Sequence, residues 1–162
     1  MNLADYRERL VAINEIVYFD KNEYLREKTS NPLKLKELID EAENLLQSSN
    51  GDDRYFLYGT IGNLYRINEQ PKKALNSLSY CLNHAVREMN LTREIVALIR
   101  IGEAHKYDNN HTKALELLAK CDAKRLMNIW TLYCNIKANV LWNYLLCSIQ
   151  KNIVKGVGIA FR

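Results

Sequence analysis

The sequence predicts an all-α protein of stacked antiparallel helical hairpins, and three observations point there. Only 6 Gly and 2 Pro interrupt 162 residues, too few for a turn-rich β sandwich or for a collagen-like or disordered chain. Apolar residues recur at three- and four-residue steps through most of the chain, the period of a helix with one buried face. The sequence also matches itself when shifted by 40 residues, the mark of a repeated helical unit. A chain of this length buries about 70% of its unfolded surface and needs no disulfide or metal staple.

The elements follow in order. Leu3, Tyr6, Leu10, Ile13, Val17 and Tyr24 keep helical spacing, which predicts one amphipathic helix over 3–28, and no segment of useful length alternates with period two. Ser30-Asn31-Pro32 stops it. Asn31 caps a second helix with Pro32 as its first residue, where a missing N–H costs nothing. Leu35, Leu38, Ile39, Ala42, Leu45 and Leu46 form its apolar stripe, and Ser48-Ser49-Asn50-Gly51 ends it. Asp52 or Asp53 starts a third helix running to about Asn68, and Pro71 opens a fourth that runs to about Met89. Thr92 caps the fifth, with Leu91 stapled onto Val96. Asp108-Asn109-Asn110 breaks it, a sixth covers His111 to about Leu126, and at least one more lies around Ile129 to Ile149.

In the 40-residue shift Ile61-Gly62 falls on Ile101-Gly102, Lys73-Ala74-Leu75 on Lys113-Ala114-Leu115, Leu78 on Leu118 and Cys81 on Cys121. A glycine in mid-helix costs about 1 kcal/mol relative to alanine. Its recurrence in register predicts a neighbouring helix passing too close for a side chain, with Ala74 and Ala114 as the small facing residues.

With this pattern the chain resembles the tetratricopeptide repeat family. The residues that carry the resemblance are Tyr58, Ile61-Gly62, Tyr65, Ala74, Leu78 and Cys81, then Leu98, Ile101-Gly102, His105, Ala114, Leu118 and Cys121. His105 replaces an aromatic, the closing proline of the family is missing, and the period is 40 rather than 34, as in the long repeats of bacterial peptide-sensing regulators. The resemblance covers residues 55–124 and, more loosely, 32–49. It implies a right-handed α-α superhelix over residues 1–126, with units at about 3–49, 52–90 and 92–126. Residues 127–162 then form a degenerate terminal helix or a capping or association tail, since a third copy would put Trp142 at the glycine position.

By the same resemblance the first helix of each hairpin lines a concave groove. Its inward positions are Phe56, Gly59, Thr60, Asn63 and Arg66, then Val96, Ile99, Arg100, Glu103 and Lys106. Asn63, Arg66, Arg100, Glu103 and Lys106 are the candidate polar contacts to a protein or peptide segment, and Phe56 and Tyr107 the apolar ones. An asparagine at Asn63 suits an extended backbone because its amide both donates and accepts. Arg66, Arg100 and Lys106 suit a carboxylate or acidic segment. The alternative is a solvated helical face neutralised by Glu69, Glu94 and Glu103.

Charge narrows the partner further. All 19 acidic side chains and 19 of the 23 basic ones lie in residues 1–126, so the net charge of +4 belongs wholly to the last 36 residues. The repeats are neutral, unlike a nucleic-acid surface with its basic excess. The longest uncharged run, Ala138 to Gln150, has 13 residues, against about 20 for a membrane span, and the charged N-terminus lacks the apolar core of a secretory signal. Four cysteines with no CxxC pair fit a reduced cytoplasmic setting.

No catalytic, metal or cofactor signature emerges. Cys81, His84, His105 and His111 match no zinc spacing. Cys81 and Cys121 read as core packing and His105 as a half-buried, hydrogen-bonded imidazole. Ser77 and Ser79 lack a nucleophile elbow, and Lys155-Gly156-Val157-Gly158 lacks the third glycine of a phosphate cradle. The expectation is a non-catalytic peptide- or protein-binding module of regulatory or scaffold type. The alternative is a structural protein that self-associates through the tail, where Trp130, Tyr133, Leu141, Leu145 and Ile149 form an apolar stripe. Two readings of that tail stand, a closing helix or a segment produced by truncation or an altered reading frame.

Overall fold

The computed structural model describes residues 2–23 and 26–127. The expectations for residues 128–162, Trp142 and the stripe from Trp130 to Ile149 included, lie outside the described residues. The chain divides into two compact units, Met1–Cys121 and Asp122–Arg162.

The described part is mostly helical. Helices α1 (Leu3–Val11), α2 (Pro32–Leu46), α3 (Gly51–Ile67), α4 (Pro71–Arg87) and α5 (Leu91–Tyr107) are followed by α6 over 111–127. Asparagine side chains cap four of them. Asn2 accepts from the Asp5 N–H, Asn31 from Lys34, Asn90 from Arg93 and Asn110 from Lys113, each meeting one orphan donor of the first turn. The cap of α5 is therefore Asn90 rather than Thr92, because α5 begins at Leu91, two residues earlier than a Thr92 cap would place it.

Helices adjacent in sequence pack against one another from α1 to α2 and onward to α5. The seam is built from Leu35, Leu38 and Ile39 of α2, Leu57, Ile61 and Leu64 of α3, Leu78 of α4 and Ile101 of α5, all buried. Each such side chain contributes about 1.5–3 kcal/mol. The 40-residue register is visible in the contacts. The Cys81 thiol lies 3.5 Å from the Tyr55 carbonyl, and the Cys121 thiol 3.8 Å from that of Ile95. The turns repeat as well. Glu69 and Asn109 both take positive φ, and the following N–H groups, of Gln70 and Asn110, return to the carbonyls of Tyr65 and His105 at 2.9 Å.

The two repeat glycines differ. A Cβ on Gly62 would stand 2.6 Å from Leu78 Cγ, so the expected close approach holds there. On Gly102 it would meet nothing nearer than the Ala114 carbonyl at 3.5 Å, an ordinary contact, so the same inference fails in the second copy.

The single helix expected over 3–28 is a larger departure. After α1 and a 3-10 turn (Ala12–Glu15), the chain forms an antiparallel hairpin of β1 (Val17–Asp20) and β2 (Arg26–Thr29), with Tyr18 opposite Lys28 and Phe19 opposite Glu27. Val17-Tyr18-Phe19 is a run of β-formers that stands badly on an amphipathic helix. Asp20 accepts from the Asn22 N–H at 2.9 Å, the side-chain turn that reverses the strand. Ser30 closes the other end by donating to the Ile16 carbonyl at 2.7 Å. Among the described residues no helix is long and apolar enough to cross a membrane.

Candidate functional site

The hairpin is what shapes the site. Strand β2 lies against the C-terminal turns of α3 and α5, and Glu27 is its centre. The Glu27 carboxylate accepts from Arg66 Nη2. Its backbone N–H donates to the Tyr107 hydroxyl at 2.6 Å, and that hydroxyl donates back to the Glu27 carbonyl at 3.3 Å. Arg66 Nη1 donates to the same hydroxyl at 3.0 Å. One phenol thus serves both backbone groups of a strand residue and a guanidinium, which uses its donor and both lone pairs.

Arg66 is 7% exposed. A cation so buried requires partners, and Glu27 and, at 3.8 Å, Glu103 supply them. Two guanidiniums flank the Tyr107 ring, Arg66 at 5.0 Å and Arg26 at 5.1 Å from its centroid. Arg26 also donates to the Lys106 carbonyl at 3.0 Å and to Asn109 Oδ1 at 2.9 Å. Lys28 reaches Glu23 at 2.6 Å, Asp20 at 3.3 Å and Glu69 of the α3–α4 turn at 3.8 Å. The bond to Glu23, with a smaller part from Asp20, raises the Lys28 pKa against the opposing effect of desolvation. Burial, above all, raises that of Tyr107.

Beside this clasp lies a cleft of about 310 Å³ lined by Phe19, Glu27, Arg66, Glu103, Lys106 and Tyr107. It offers carboxylates, cations and, in Phe19, an exposed aromatic ring. Arg66, Glu103, Lys106 and Tyr107 were expected from the sequence and are brought together. Two of them are corrected in character. Arg66 is buried rather than an exposed groove cation, and Tyr107 acts through its hydroxyl rather than as an apolar contact. Glu27, Phe19 and Arg26 were missed because they sit in the segment read as helix, and the run Val17-Tyr18-Phe19 was the available signal.

The remaining three candidates stand elsewhere. Phe56 is half-buried under the Arg7 guanidinium of α1, 4.6 Å from its ring centroid. Arg100 lies over Gly59, where an added Cβ would come within 2.8 Å of its Nη1, and among the described residues no carboxylate lies within 4.0 Å of it. Asn63 is half-buried, its Oδ1 without a protein partner among the described residues. His105 is half-buried as expected, but its Nδ1 likewise has no partner there, so the hydrogen bonding expected of the ring is not found at that nitrogen.

Cys81 and Cys121 are buried thiols in no disulfide, as expected of packing residues. Burial pushes the Cys81 pKa up to about 11, with Arg100 offsetting part of the effect. That makes it a poor nucleophile. Among the described residues no three His, Cys, Asp or Glu side chains gather as a metal site would require.

A second cavity of about 520 Å³ is lined by Gly102, Ala114, Leu115 and Leu118 together with Arg26 and Lys106. Leu115 and Leu118 are exposed. Compared with known proteins, the chain matches no family model, no curated protein and no solved structure.

Proposed function

We propose that the chain is a non-catalytic protein- or peptide-binding module of tetratricopeptide-like architecture, in which the first helices of successive hairpins line a concave groove. One observation carries the proposal: residues forty apart on α3 and α5, Arg66 and Lys106, border the same cleft with Glu103 and Tyr107. A surface presenting guanidinium, ammonium, carboxylate and phenol groups beside an exposed aromatic suits a polypeptide, which offers charges and backbone amides together.

The test is a pull-down comparing the intact chain with an Asn63→Ala/Lys106→Ala variant. Arg66 is left in place because its loss would unsettle the hairpin as well as the cleft. Loss of the captured partner in the variant supports the groove, and equal recovery by both forms removes it.

Self-association is the second reading, favoured by exposed Leu115 and Leu118 beside the 520 Å³ cavity. Sedimentation velocity separates the two. An oligomer dissociated by Leu115→Ser/Leu118→Ser supports assembly, and a monomer at all concentrations rejects it.

A further inference from the structure

We propose that strand β2 is an internal occupant of the groove, and that the partner is an extended segment with an acidic side chain that enters by replacing it. This rests on the peptide-binding reading above and names the chemistry of the ligand.

The way β2 is held states what the helices recognise. Tyr107 reads the N–H and the C=O of a single residue, and Arg66 reads its carboxylate. Those three groups belong to any glutamate in extended conformation, because N–H and C=O of one residue point to the same side of a strand. Nothing in the clasp depends on the residue's belonging to this chain.

The occupant is also built to leave. Its sheet has two strands of four residues each, and an isolated hairpin of that size is marginal in water. All four β2 residues are half-buried and none is fully buried, while Tyr18 and Phe19 on β1 are exposed. A short ladder, polar contacts of β2 to α3 and α5 and the packing of Val17 on the core hold the hairpin, with no strand residue fully buried, which places it toward the low-stability end of the structure. With β2 in place Arg66 is 7% exposed, and departure of Glu27 without a substitute would leave it only Glu103 at 3.8 Å, whereas exchange of one carboxylate for another keeps the closer pair. A tethered strand competes at an effective concentration on the order of millimolar, so the exchange answers to ligand concentration.

A synthetic peptide of residues 22–31 of this chain, supplied in trans, tests the proposal. The Glu27→Gln chain should bind it at least tenfold more tightly than the unaltered chain does, and a peptide carrying Gln at the Glu27 position should lose that gain. Equal affinity for both chains, or indifference to the peptide's glutamate, overturns the exchange. A second measurement needs no variant. In the unaltered chain, millimolar peptide should speed hydrogen exchange at the Glu27 amide at least tenfold, and an unchanged rate overturns it. Failure of the two proposals can be told apart. Capture that depends on Asn63 and Lys106, with a peptide that does nothing, rejects the exchange alone. A peptide that exchanges with β2 while capture ignores those residues rejects the groove as the partner's site.

Discussion

Gly62→Ala and Gly102→Ala make one chemical change at equivalent points of two repeats and should move stability in opposite directions. Each gains about 1 kcal/mol of helix propensity. At Gly62 the new methyl would sit 2.6 Å from Cγ and 2.7 Å from Cδ2 of Leu78, with the Ala74 carbonyl at 3.4 Å. Leu78 is fully buried on α4 and has no open space to retreat into. Overpacking of that kind costs about 1–3 kcal/mol, and a contact this short belongs at the upper end, for a net loss of about 2 kcal/mol. At Gly102 the nearest atoms stand at 3.5, 3.6 and 3.8 Å, so the propensity gain survives and the variant gains about 1 kcal/mol. The gap of about 3 kcal/mol corresponds, at a urea dependence of about 2 kcal/mol/M, to midpoints about 1.5 M apart. Urea titration followed by circular dichroism reads it. Equal shifts, or a Gly102→Ala variant less stable than the parent, would refute the assignment of close packing to the first copy alone.

Three further outcomes follow from the same contacts. Tyr107→Phe removes the hydroxyl shared by Glu27 and Arg66 and should cost about 2 kcal/mol while raising hydrogen exchange across 17–29; a loss below about 0.5 kcal/mol would mean that the hydroxyl holds nothing. The Arg93 guanidinium, 2.5 Å from Asp52, holds that carboxyl below its usual range. With the folded pKa below the unfolded value of about 3.9, the pair's contribution is complete above that value and is lost as pH falls through the lowered one. The urea midpoint of Asp52→Asn should therefore trail the parent's at pH 7 and draw closer to it as the pH falls below the ordinary carboxylate range, whereas a gap independent of pH would contradict this. Cys81, buried and with its pKa raised, should react with a thiol reagent at pH 8 ~100-fold more slowly in the folded chain than in urea, as followed by mass spectrometry of the labelled peptide.

The helices were legible where local signals agreed with tertiary demands. Asn31-Pro32 and Pro71 mark helix starts by their own chemistry, and the 40-residue register is borne out by the matched contacts of Cys81 and Cys121. The hairpin was not legible, because Leu3 to Tyr24 satisfies helical spacing as a string of letters. The β-forming run Val17-Tyr18-Phe19, the Asp20 turn and the polar docking of β2 on α3 and α5 together favour the strand form. The burial of Arg66 was hidden for a related reason, since its partners Glu27 and Tyr107 lie 39 and 41 residues away. Gly102 shows a third limit. Identical residues in register do not fix the distance to the facing helix, which leaves no room for a Cβ at Gly62 and ordinary room at Gly102.

The central claim is that the partner meets the C-terminal turns of α3 and α5. Hydrogen exchange of the chain alone and with its captured partner bound tests this most directly. The account predicts new protection concentrated at residues 63–67 and 103–107. Protection confined to α4 or to residues beyond 121, with those two turns unchanged, would contradict it.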